Sequence, residues 1–190
     1  MPSSDLFQTP RRVLRPGTTV EDVDALAQLL RWPMTGVTER DRAAGTDGRV
    51  TWQADGPALH YGEDAMFGIG HYRLAGGRQA VEAVAGQAAE ALDAWTVKEL
   101  CAAVDDAPDA RARGQAMLRL GLAAHEFDDE VHRRIAAALA DDDPRIRYAA
   151  LFAASYSGYG QFGGKIAGMA AGDPEGFVRD RAAAIAHVRR

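Results

Sequence analysis

The second half of the chain repeats itself, and this limits the fold more than any other feature. Three segments opening near Pro108, Pro144 and Pro174 align when Arg113, Arg147 and Arg179 are set in register. Ala116, Ala150 and Ala182 then coincide, followed by Met117, Leu151 and Ala183, and by Leu118, Phe152 and Ala184. The intervals between the anchoring arginines are 34 and 32 residues. A near-constant period of this length marks helical pairs that stack, because one pair cannot bury its apolar side alone. Two copies open on Asp-Pro, at Asp143-Pro144 and Asp173-Pro174. The aspartate accepts a free backbone N–H, and the proline sits where no N–H is needed. Between the anchored helices lie DDEVHRRIAAALADD and the glycine-rich QFGGKIAGMAAG, which supply the second helix of each unit.

The run from Asp143 to Ala150, its looser copy from Asp173 to Ala183 and a degenerate copy around Pro108 share the pattern D-P-x-I/V-R-x-x-A-A. These residues resemble the HEAT-repeat family, including short bacterial HEAT-like repeats and phycobilisome lyase-type domains. The resemblance covers about residues 95–190. It implies a short α-solenoid and, since such arrays serve mostly as binding scaffolds, a binding role. The third copy departs from the pattern: it has two extra residues before Arg179 and ends without a second helix. It reads as a cap, with Arg181, Arg189 and Arg190 turned to water.

The first half has a different period. Residues 1–18 hold Pro2, Pro10, Pro16 and Gly17 without an apolar period and read as a flexible arm. Val20, Val23, Leu26, Ala27 and Leu30 follow a threonine cap at helical spacing, and Pro33 closes that helix. Residues 33–48 read as a loop. Extended segments 49–54 and 58–62 meet at Asp55-Gly56, a dipeptide suited to a hairpin turn. Met66 to Leu74 reads as a third strand, and from Gly77 onward the chain reads as helical. The expected fold is mostly α: a short HEAT-like α-solenoid over residues 77–190, carrying a small N-terminal α+β layer over 19–76. That layer is a helix with an antiparallel β-hairpin or three-stranded sheet.

Composition narrows the function classes. A single cysteine, Cys101, excludes an internal disulfide, which fits a reducing compartment. The start, MPSSDLFQTPRRVLRPG, has no apolar run able to act as a signal peptide, and no stretch of about 20 apolar residues occurs. The expectation is a soluble protein of the bacterial cytoplasm. The 27 acidic against 22 basic residues give a net charge of −5, which disfavours nucleic-acid binding driven by net charge. Charge is unevenly placed. Residues 125–143 hold seven acids and two arginines, a net of −5, whereas 144–190 hold seven basic residues and three acids, a net of +4. Alanine, at 38 positions, favours helices in close contact.

No catalytic, cofactor or metal assignment follows from the motifs. Gly158, Gly160 and Gly163 match G-x-G-x-x-G, but the run follows a helix, not a strand, and Ile166 stands where a Walker loop needs Ser or Thr. His125 and His132 are seven residues apart and straddle a turn, unlike ligands on one helix face. His60 and His71 flank Glu63 and Asp64 and read as surface residues. Cys101 lies among Leu100, Ala102 and Val104, where a buried thiol is the usual reading.

The aromatic spacing points to recognition. Tyr148, Phe152, Tyr156 and Tyr159 fall four, four and three residues apart, and Phe162 extends the stripe. Such a stripe either fills a core between repeats or faces a partner, and tyrosine favours interfaces because it joins a large apolar body to a polar tip. The expected binding set is Tyr148, Phe152, Tyr156, Tyr159 and Phe162 with Arg147 and Arg179. The expected role is a non-enzymatic protein-binding module, such as an adaptor, regulator or immunity protein, whose partner is another protein or peptide. Two alternatives stand beside it: a HEAT-like DNA-binding or DNA glycosylase enzyme, and a phycobilisome lyase-type cofactor-handling protein.

Overall fold

The computed structural model describes residues 6–188. Residues 1–5 of the expected arm, and Arg189 and Arg190 of the expected cap, lie outside the described residues. The chain divides into two compact units, residues 1–95 and 96–190.

The first unit is an antiparallel sheet backed by two helices. Its strands are β1 (Phe7–Gln8), β2 (Arg12–Val13), β3 (Met34–Thr38), β4 (Gly48–Gln53), β5 (Ala58–Glu63) and β6 (Gly70–Gly76). The order across the sheet is β1-β6-β5-β4-β3, with β2 also paired to β6. The Asp55-Gly56 hairpin is present, with Gln53 opposite Ala58 and Trp52 opposite Leu59. Helices α1 (Val20–Leu29) and α2 (Arg78–Ala91) set Val23, Leu26, Val81 and Ala88 into one core with Trp52, Leu59 and Leu74. The Trp52 indole N–H donates to Asp24 on α1 at 2.7 Å, so the largest core side chain keeps its polar atom satisfied.

The second unit is helical. It comprises α3 (Val97–Asp105), α4 (Ala110–Ala123), α5 (Asp129–Ala138), α6 (Pro144–Ser157), a 3-10 turn at Gly160–Phe162, α7 (Gly163–Gly172) and α8 (Gly176–Val188). Local caps start these helices. Asp109 accepts from Ala112 N–H, Asp128 from Glu130 and Val131 N–H, and Asp143 from Arg145 N–H. The repeat-bearing helices are neighbours, α4 packing on α6 and α6 on α8. Alanines and a glycine permit this proximity: a Cβ built on Gly121 would run into the backbone of Ala153.

The expectation of a mostly α solenoid is overturned. The fold is mixed α/β, 53% helical, with a six-stranded antiparallel sheet in the N-terminal half. Two segments read as arm and loop supply the missing strands. Residues 7–8 and 12–13 pair with β6, and Met34–Thr38 forms a strand exposed at every position, so no apolar alternation signals it. The division of the chain also moves from residue 77 to residue 96. Helix α2 belongs with the sheet because Val81, Ala88 and Leu92 are buried in that core.

Two measurable consequences follow. Gly121→Ala forces α4 from α6 and lowers stability by about 2 to 3 kcal/mol in denaturant unfolding, because the added methyl meets backbone. The His71 ring lies directly over Gly62, where a Cβ would fall 2.5 Å from the ring. Burial, with Arg11 nearby, lowers the His71 pKa to about 4. An unfolded histidine takes up its proton near pH 6.5, so unfolding binds a proton at pH values between there and about 4. Stability present above that window is lost as pH falls through it, by up to about 3 kcal/mol. The urea midpoint drops from pH 7 to pH 5 by less in His71→Gln than in the parent.

Candidate functional site

The anchoring arginines of the repeat hold turns. Arg147 is 9% exposed, and its guanidinium forks onto Asp173 with both bonds at 2.8 Å. Its Nη1 donates to the Asp141 and Asp142 carbonyls at 2.9 and 3.0 Å. Hydrogen bonding to Asp173 raises the Arg147 pKa, and the same bonds lower that of Asp173, so both groups stay charged. Arg113 donates to Asp141 at 2.6 Å, and Arg179 to the Asp173 and Pro174 carbonyls. Arg147 is therefore buried in a structural role, which corrects the expectation that it faces a partner, whereas Arg179 is partly buried and holds its own entry turn. A buried guanidinium keeps its charge only where oxygens surround it.

The aromatic stripe divides at the end of α6. Gly158 adopts φ +70° and turns the chain, so the helical spacing stops at Ser157. Beyond it Tyr159 and Phe162 are buried. The Tyr159 hydroxyl donates to the Glu126 carbonyl at 2.6 Å and accepts from Asp128 N–H, pinning the α4–α5 turn. Phe162 stacks on His132, ring centroids 4.8 Å apart. Phe152 is only 5% exposed. The expected five-ring patch is thus corrected: Tyr159 and Phe162 belong to the interior, and Phe152 is largely covered.

What remains exposed is a smaller face that includes two residues outside the expected set. Tyr148 and Tyr156 are half-buried on α6. Phe177 on α8 is 45% exposed, its ring 5.5 Å from that of Tyr148. Tyr148 meets Phe152 edge-on at 5.3 Å, and Phe152 lies 6.1 Å from Tyr156. The Arg181 guanidinium sits 4.4 Å from the Phe152 centroid and 5.9 Å from that of Tyr148. A cation over aromatic faces is favoured electrostatically and holds the rings in place. Phe177 stands two residues before Arg179, where the second copy has Arg145 before Arg147, and that departure was the available signal for it.

Other groups offer less. Among the described residues, no cluster of three or more His, Cys, Asp or Glu is placed to hold a metal ion. Cys101 is buried, and burial raises its thiol pKa, which disfavours the thiolate. An open groove of about 560 Å³ lies between the α5–α6 turn and α7, with Gly164, Gly168 and Lys165 on one wall and the Arg147–Asp173 pair among its lining residues.

Removing one member of a buried fork strands the other charge. Asp173→Asn or Arg147→Met should cost about 3 to 5 kcal/mol, read as a lower melting temperature and denaturant midpoint. Compared with known proteins, the chain matches no protein-family model, no curated protein and no solved structure.

Proposed function

We propose that this protein is a non-enzymatic binding module that engages another protein through the α6–α8 face, centred on Tyr148, Phe177 and Arg181. One observation carries the reading. A half-exposed phenylalanine lies against a tyrosine whose ring is shared with an arginine, and tyrosine and arginine are the residues that most often dominate interface energetics. The rings are already ordered by mutual contact and by Arg181, so little side-chain entropy is lost on binding. Kinship with HEAT-repeat proteins is part of the proposal and rests on the Arg-anchored repeat of residues 96–190. An adaptor, regulator or immunity protein acting in the bacterial cytoplasm is the role that fits a small acidic chain with such a face. No helix among the described residues is long and apolar enough to cross a membrane.

The test separates recognition from folding. A photo-crosslinking side chain at Ser155, exposed on α6 beside Tyr156, identifies the partner in cells of the native host. Tyr148→Ala with Phe177→Ala then weakens binding of that purified partner by at least about 2 kcal/mol, roughly thirtyfold, while the melting temperature falls by only a few degrees. A large loss of stability with unchanged affinity assigns the two rings to packing and rejects the proposal. Crosslinking to nucleic acid instead of protein rejects it in favour of the DNA-binding alternative.

A further inference from the structure

We infer that the partner segment received by this face is an acidic polypeptide whose carboxylates pair with Arg111, Arg119 and Arg181. The inference rests on the binding role proposed above and adds the chemistry of the occupant. It starts from a contrast among the arginines of the second unit. Arg113, Arg133, Arg134, Arg145, Arg147 and Arg179 each meet a carboxylate or carbonyl oxygen. Arg134, for example, forks onto Asp105 and also reaches Glu130. Among the described residues, Arg111, Arg119 and Arg181 have no such oxygen, and Arg181 has only aromatic faces.

The three are not scattered. Arg111 and Arg119 lie on α4, and Arg181 lies on α8, the two anchored helices that pack on α6. On α4, Gly114 and Gly121 face Ala149 and Ala153 of α6. Arg113 and Met117 turn inward, Arg113 to Asp141 and Met117 to the core. Arg111, Gln115 and Arg119, four residues apart, form the stripe on the other side of that helix. Tyr148, Phe152 and Tyr156 occupy the matching side of α6, away from Arg147 and its carbonyl partners. The unpaired cations therefore lie on the two helices that neighbour the aromatic helix, with Arg181 directly against the Phe152 and Tyr148 rings.

Arg119 makes the case physical. Its guanidinium is half removed from water, and burial alone pushes its pKa down. A charge taken out of water without an oxygen partner is a cost the free protein bears and a bound carboxylate relieves, since the planar fork accepts both oxygens of one carboxylate. The occupant is a polypeptide and not a nucleic acid because rings alternate with isolated cations, and because the chain as a whole carries −5, with seven acids in residues 125–143. That charge repels a continuous polyanion, whereas a segment alternating acidic and apolar residues meets both rings and arginines.

The experiment is fluorescence anisotropy on the full chain with three labelled probes: a short peptide alternating glutamate and leucine, its glutamine counterpart, and a single-stranded oligonucleotide. The glutamate peptide binds, more weakly at high salt, and the glutamine peptide binds at least about tenfold less tightly. Arg119→Gln weakens the glutamate peptide about tenfold or more, while its melting temperature stays level or rises because an unpaired, half-buried charge is gone. Arg111→Gln, at an exposed position where folding is not at stake, weakens it in the same direction, and Arg133→Gln on α5 leaves it unchanged. Equal binding of the two peptides, tighter binding of the oligonucleotide, or unchanged affinity in both Arg119→Gln and Arg111→Gln overturns the inference. If it fails while Tyr148→Ala with Phe177→Ala still abolishes binding of the crosslinked partner, the binding role stands and only the acidic occupant falls.

Discussion

The buried fork between Arg147 and Asp173 organises the helical unit. One guanidinium joins the first turn of α6, the carbonyls that close the α5–α6 turn and the carboxylate that opens the α7–α8 turn. Such a pair adds little net stability over an apolar substitute, because both ions lose their water. Its contribution is geometric, since every donor it uses has one partner position. Asp173 also accepts from Glu175 N–H, so the same carboxylate orders the chain entering α8.

This bonding gives the repeat a physical meaning. Arg113 reaches Asp141, and Arg147 reaches Asp173, each in the turn that precedes the next anchored helix. Arg179 closes its own entry turn through backbone carbonyls. The 34- and 32-residue spacing is therefore the spacing of an electrostatic clasp as well as of an apolar register. Between the clasps, Gly121 lies against Ala153, and these two small residues let α4 and α6 approach closely.

Clasping and display use opposite sides of the same helices. Arg147 lies one residue before Tyr148, yet one is nine-tenths buried and bonded to four oxygens while the other is half-open beside Phe177. A helix turns by about 100° per residue, which is enough to separate the two roles. The face left over combines rings held by mutual contact with arginines that have no oxygen partner within the described residues, and both halves of that description suit a complementary acidic surface.

Much of the second unit was readable from local chemistry. The Asp143-Pro144 start, the apolar spacing and the Asp109 and Asp128 caps act within a turn or two, and α6 begins at Pro144 as that signal reads, whereas α8 begins at Gly176, two residues beyond Pro174. The Asp55-Gly56 hairpin was readable for the same reason. The rest depended on distant partners. Phe7 pairs with Gly76 and Arg12 with Tyr72, so two short strands in a proline-rich segment exist only because β6 offers its free edge. Likewise, the spacing of Tyr148, Phe152, Tyr156 and Tyr159 determined that rings would line up along a helix. Which of them stayed open was decided by the turn at Gly158, which buried Tyr159 and Phe162 against the α4–α5 turn and α5, and by α8, which brought Phe177 and Arg181 alongside. Periodicity along the chain places side chains around one helix, but only the packing of other helices settles which side meets water.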